Sequence, residues 1–79
     1  MNDINEKIIC ILGIVLKIDN KLIDVNTSMD TIKEWDSLKH MNLILALEEE
    51  FMISIPDEDV ANLTSFKIIS LVINELLKT

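Results

Sequence analysis

Residues 36–59 read DSLKHMNLILALEEEFMISIPDED and contain both ends of one helix. Asp36 has a short side chain that accepts hydrogen bonds from the first turn of a helix, so it suits the N-cap position. Apolar residues then recur at helical spacing as far as Phe51, and Pro56 prevents the helix from continuing. The stretch therefore predicts a helix from Ser37 to Phe51 and a short acidic helix that begins after Pro56.

The longer of these helices carries two apolar stripes. At about 100° per residue, one stripe consists of Leu43, Leu47 and Phe51, with Ile44 beside them. The second stripe consists of Leu38, Met41 and Leu45, and the acids Glu48 and Glu49 flank it. A bundle helix needs only one apolar face for the core. The second stripe is therefore either an exposed contact strip with an acidic rim or a second buried face, and periodicity alone leaves both open.

The flanking segments predict two more helices. The first covers about residues 3–17, with Asn2 or Asp3 as its cap. Its apolar positions are Ile4, Ile8, Ile11 and Val15, widened by Ile9, Leu12 and Leu16, and Cys10 is expected to be a small core residue. The last helix begins after a Thr64 or Ser65 cap and runs to about Lys78.

Residues 18–36 lack a clean period and are rich in turn formers. We expect an ordered loop with one helical turn, held on the bundle by its apolar residues Leu22, Ile23, Val25, Met29, Ile32 and Trp35. Together these elements predict one all-α domain over residues 1–79: a small four-helix bundle, with three longer helices and one short helix.

Composition limits the function. The chain has 79 residues, a formal net charge of -7 and no arginine, which argues against nucleic-acid binding and favours basic protein partners. One cysteine and one histidine make a disulfide framework or a zinc site improbable. The apolar run Ile8–Leu16 is shorter than the ~20 residues that a membrane span needs, and no cleavage site follows it. We expect a core helix, a cytoplasmic protein and no membrane insertion.

Ser37 is placed where a helix N-terminus favours a phosphate group, although the same three residues also make an ordinary cap. His40 follows at i+3, so a serine hydrolase must be considered. Nothing in the sequence supplies an oxyanion hole, and His40 is predicted to face the core side of its helix. We therefore expect no catalytic residues and no metal ligands.

Three motifs together resemble the bacterial acyl carrier proteins. They are Asp36-Ser37-Leu38, then Leu45-Ala46-Leu47-Glu48-Glu49-Glu50-Phe51, then Ile55-Pro56-Asp57-Glu58-Asp59. The resemblance implies that Ser37, beside Asp36, carries a covalent 4′-phosphopantetheine arm, which a separate phosphopantetheinyl transferase adds from coenzyme A. It also implies docking of acyl-loading and acyl-transferring enzymes with basic surfaces. The residues that match the partner-binding face are Leu38, Met41, Leu45, Glu48, Glu49, Asp57 and Glu58.

The chain departs from the carriers of fatty acid synthesis at a few positions. Lys39 and Asn42 stand where that group usually has acids, and Trp35 stands where it commonly has a small residue. These departures favour a stand-alone carrier in a specialised pathway. Separately, we expect the protein to be a monomer. Two alternatives stay open: an aminoacyl or peptidyl-type carrier, and an acidic helical interaction module without a prosthetic group.

Overall fold

The computed structural model describes residues 3–78, and these form four α-helices. The helices are α1 (Asp3–Leu16), α2 (Ser37–Phe51), α3 (Asp57–Val60) and α4 (Phe66–Lys78), and a 3₁₀ turn lies at Asn20–Leu22. The predicted all-α four-helix bundle is confirmed, and the predicted bounds of α2 are the observed ones. Asn2, one of the two predicted caps of α1, lies outside the described residues.

Helix α1 lies at the centre of the bundle, where it packs against both α2 and α4. Its fully buried side chains are Ile8, Leu12 and Leu16, at positions four apart that share one face. Ile4, Ile11 and Val15 are only partly buried. The core face of α1 is therefore turned slightly from the predicted one. From Ile8 to Leu16 every residue except Gly13 is apolar, so the spacing of apolar residues does not define which side of the helix faces the core.

The prediction that Cys10 is a core residue is wrong, because its side chain is exposed. Cys10 is two positions from both Ile8 and Leu12, and two positions correspond to about 200° around a helix. It therefore points away from the buried face, and Asn20 Nδ2 lies 3.6 Å from its sulfur.

The chain after α1 folds back over Gly13. A Cβ atom at this position would collide with the side chain of Asn20 and would lie 3.2 Å from the backbone oxygen of Ile18. Lys17 ends the helix in a left-handed conformation (φ 59°), and the N–H of Ile18 donates to the carbonyl of Gly13 at 3.1 Å. The glycine lets the loop pack tightly against α1.

The loop between α1 and α2 is ordered and contains the one predicted helical turn. Ile23 and Trp35 are buried in the core, but Leu22 and Val25 are exposed, so these two do not anchor the loop as predicted. A further anchor is a pair of backbone hydrogen bonds with the start of α4. Met29 N donates to Thr64 O and Phe66 N donates to Thr27 O, both at 2.9 Å.

The remaining helix ends follow the local signals. Met52 terminates α2 in a left-handed conformation (φ 54°), and Pro56 then precedes the first turn of α3. Ser65 is the cap of α4, because its Oγ accepts the N–H of Ile68 at 3.2 Å. The apolar side of α4 is buried through Phe66, Ile69 and Ile73.

Candidate functional site at the start of α2

Ser37 is the first residue of α2, and its side chain is exposed. Asp36 caps the helix: its Oδ1 accepts the N–H of Lys39 at 2.9 Å, and its carbonyl accepts the N–H of His40 at 2.8 Å. The N–H groups of Ser37 and Leu38 have no acceptor inside the helix, because they lie in its first turn. The Ser37 hydroxyl is thus presented at the positive end of a fifteen-residue helix.

Trp35 fixes the chain just before this serine. Its indole is 3% exposed, and its backbone N–H donates to Ile32 O at 3.1 Å. Asp36 then adopts an extended conformation (φ -104°, ψ -175°), in which successive side chains point to opposite sides. Burial of Trp35 therefore turns Asp36 toward solvent, and Ser37 follows as the first exposed residue of the helix.

His40 is held between Trp35 and α3. Trp35 Nε1 donates to Nδ1 of His40 at 3.1 Å, and Nε2 of His40 lies 2.7 Å from the backbone oxygen of Val60. An indole N–H can only donate, so Nδ1 is the acceptor and Nε2 carries the proton that is donated to Val60. Both ring nitrogens are thus occupied, as expected for a satisfied core-edge histidine, and His40 does not act as a base toward Ser37.

The two apolar stripes of α2 have different environments. Leu43, Ile44 and Leu47 are buried in the core, whereas Leu38, Met41 and Leu45 are each more than half exposed. Of the two possibilities that periodicity left open, the structure has the exposed strip. We call Leu38, Met41 and Leu45 the α2 strip. It begins beside Ser37 and continues along two turns of the helix.

The acids near this strip have different surroundings. Glu49, Asp57 and Glu58 are exposed, and Glu50 forms an ion pair with Lys7 at 3.6 Å. Glu48 is partly buried, and its Oε2 accepts the N–H of Ile55 at 2.7 Å. Sequence reasoning placed Glu48 on the partner-binding face but did not find this internal bond, which depends on the fold of the segment after α2.

An anionic group attached to Ser37 fits this surface. The side chain is exposed, the helix end is positive, and the two free N–H groups of the first turn can donate to phosphate oxygens. A groove of about 420 Å³ lies elsewhere, along α1 between Asp3 and Ile14. Ser37 does not line this groove. Its hydroxyl is exposed on the surface, as attachment by a separate enzyme requires.

Comparison with known proteins identifies the family. A family model described as "Phosphopantetheine attachment site" matches residues 6–71. The chain is also 40% identical over 65 residues to the acyl carrier protein of Buchnera aphidicola subsp. Schizaphis graminum, covering 82% of each chain. The chain belongs to the bacterial acyl carrier protein family. Its prosthetic group is a covalently attached phosphopantetheine, which decides against an interaction module without one.

The fold agrees with this assignment. The solution structure of a holo acyl carrier protein from Geobacter metallireducens superposes with a TM-score of 0.83 at 27% identity. The match covers 94% of this chain and 85% of that one. Acyl carrier proteins hold their cargo rather than transform it, in agreement with a serine that lacks a catalytic base. None of the helices within residues 3–78 has the length and apolar character that a membrane span requires.

Proposed function

We propose that Ser37 is the attachment residue and that its Oγ carries 4′-phosphopantetheine through a phosphodiester. A phosphopantetheinyl transferase would supply the arm from coenzyme A, with release of the nucleotide part. The bound arm supplies a terminal thiol that holds an acyl group as a thioester. The observation that carries this proposal is the exposed hydroxyl of Ser37 at the capped N-terminus of α2, within the segment that the family model matches.

The chain's own residues hold and present the attachment point. Asp36 fixes the start of α2 through Lys39 N–H, so the serine has a defined direction. Positive backbone N–H groups favour the phosphodiester charge close to the helix end. Because His40 has both nitrogens occupied, activation of the hydroxyl is left to the transferase.

Partner enzymes would dock on the α2 strip and its acidic surroundings. The strip offers exposed apolar area next to Ser37, which is what a specific interface buries at its centre. The proposed docking acids are Asp36, Glu48, Glu49, Asp57 and Glu58. Acids around an apolar centre attract basic partner surfaces and raise the rate of association.

The pathway is proposed to be a specialised one rather than bulk fatty acid synthesis. Lys39 and Asn42 place a cation and a neutral amide on α2, close to the strip. A basic partner surface that recognises an all-acidic helix would be repelled by the positive charge of Lys39. Such a repulsive contact lowers the affinity for that partner. We also propose that the carrier is a single-domain monomer that works in the cytoplasm.

The attachment site is tested by intact-mass analysis after incubation with coenzyme A and a phosphopantetheinyl transferase. The wild-type chain should gain the mass of one phosphopantetheine, and Ser37→Ala should gain none. Ser54→Ala is the matched control, because Ser54 is also exposed but lies outside the helix start, and it should be modified like wild type. An unmodified wild type beside a modified reference carrier would refute the proposal.

The cargo decides between an acyl and an aminoacyl carrier. Purification of the holo protein from its native cells, followed by mass spectrometry of the thioester, identifies the attached group. A carboxylic acid without an amine supports the acyl carrier. An amino acid would instead assign the chain to the aminoacyl class, with the same attachment residue.

A further inference from the structure

Two hydrogen bonds join α2 to the two ends of α3, and attachment at Ser37 does not account for them. His40 Nε2 donates to Val60 O at 2.7 Å, where α3 ends. Glu48 Oε2 accepts the N–H of Ile55 at 2.7 Å, just before α3 begins. The two α2 residues are eight positions apart, or about 12 Å along the helix axis. Glu48, near the end of α2, contacts the chain where α3 begins, and His40, near the start of α2, contacts the end of α3. Helix α3 therefore runs in the opposite direction to α2.

Helix α3 has few other contacts: Val60 packs partly against the core, and Asn62 Nδ2 donates to Glu58 O at 3.2 Å. It has four residues, none of them buried, and no side chain caps its N-terminus. A helix of this length is not stable by itself. Ile55 and Leu63 anchor the flanking chain in the core on either side of this helix.

The position of α3 matters because it carries two of the proposed docking acids. Asp57 and Glu58 are exposed on α3, whereas Leu38, Met41 and Leu45 are exposed on α2. A partner that contacts both groups at once needs a fixed distance between the two helices. Preorganisation of such a surface avoids the loss of conformational freedom on binding.

We propose that His40 and Glu48 are positioning residues that hold the acids of α3 in register with the α2 strip. This inference rests on the proposed function, since it concerns the surface on which partner enzymes would dock. Glu48 then contributes through its bond to Ile55 in addition to its charge. His40 contributes through its bond to Val60, while its other nitrogen joins the preceding loop through Trp35.

The chain offers matched variants that separate these bonds. In His40→Gln, the side-chain amide NH₂ can replace Nε2 as the donor to Val60. In His40→Asn, the shorter side chain can accept from Trp35 but does not reach Val60. In Glu48→Gln, the charge is removed but an oxygen remains to accept from Ile55, whereas Glu48→Ala removes both.

The first measurement is the KM of the phosphopantetheinyl transferase for this carrier, obtained at low salt by varying the carrier concentration. It is made with and without the acids of α3. In the wild-type background, the pair Asp57→Asn and Glu58→Gln should raise KM about fivefold with kcat unchanged. The same pair should have the same effect in His40→Gln and Glu48→Gln. In His40→Asn and Glu48→Ala, the effect should fall below about twofold, because α3 is no longer held.

An equal effect of the acids in all five backgrounds would show that His40 and Glu48 are merely structural. If Asp57→Asn and Glu58→Gln do not change KM in the wild-type background, α3 is not part of the docking surface and the inference is overturned. Ser37 would still be the attachment residue in that case.

The second measurement uses the unmodified protein and does not depend on the transferase. Hydrogen exchange of the Asp59 and Val60 amides, which both donate to Pro56 O, reports whether α3 is formed. We expect exchange about tenfold faster in His40→Asn than in His40→Gln. Equal exchange in the two variants would overturn the inference even if the wild type accepts the arm, and failure of modification alone would refute only the proposed function.

Discussion

Truncation of Leu45 to alanine should weaken partner docking without weakening the fold. Leu45 is 59% exposed in the free carrier, at the far end of the α2 strip from Ser37. Full burial of a leucine side chain contributes roughly 1.5–3 kcal/mol, so covering the exposed part contributes about 1–2 kcal/mol. Loss of this free energy should raise the KM of the transferase for the carrier about 5- to 30-fold.

Leu71→Ala is the matched control for this prediction. Leu71 is 62% exposed and also lies within a helix, α4, but it is not part of the proposed docking surface. Both substitutions should change the free energy of unfolding by no more than about 0.5 kcal/mol, since neither side chain is in the core.

The assay is steady-state modification with the carrier as the varied substrate, accompanied by urea denaturation followed by circular dichroism. We expect a higher KM for Leu45→Ala and an unchanged KM for Leu71→Ala. Equal KM values for the two variants would refute the assignment of the α2 strip as the docking centre. A large loss of stability in Leu45→Ala would show that this side chain is buried.

Three further predictions concern the helix ends and the exposed thiol. Met52→Gly should stabilise the fold by about 0.5–1 kcal/mol in urea denaturation, because Met52 is left-handed and 90% exposed; a loss of stability would contradict that backbone conformation. Asp36→Ala should cost about 1 kcal/mol by the same method, whereas Asp36→Asn should keep most of the stability because it still accepts from Lys39; equal losses would refute the cap. Cys10 should react with a thiol reagent in the native protein as fast as in urea, and protection in the native state would place it in the core.

The elements of this fold were predictable where the signals are local. Asp36, the apolar spacing after it and Pro56 are neighbours in sequence, so they predicted α2 and the start of α3 without knowledge of the rest. The local signals placed Ser37 at the start of α2, but its proposed role came from the resemblance of the three motifs to the acyl carrier proteins. The acidic residues near it were visible from their positions in the sequence.

The features that could not be predicted depend on contacts between distant segments. The close packing at Gly13 depends on Asn20, which the loop brings against α1. Cys10 was assigned to the wrong side because α1 is apolar on most of its surface, which leaves the direction of its core face to be decided by α2 and α4.

The bonds of His40 were missed for a related reason. Its partner Val60 is twenty positions away and contributes a backbone oxygen, which no sequence pattern marks. The single tryptophan and the single histidine, five positions apart, were the available hint of a buried polar pair.

The most direct test of the account is localisation of the prosthetic group within the tryptic peptide of residues 34–39. This peptide reads EWDSLK, and Ser37 is its only hydroxyl-bearing residue. After modification of the whole protein and digestion, the peptide should carry the mass of one phosphopantetheine, which fragmentation should assign to Ser37. Recovery of this peptide unmodified from a protein that has gained the group elsewhere would contradict the account.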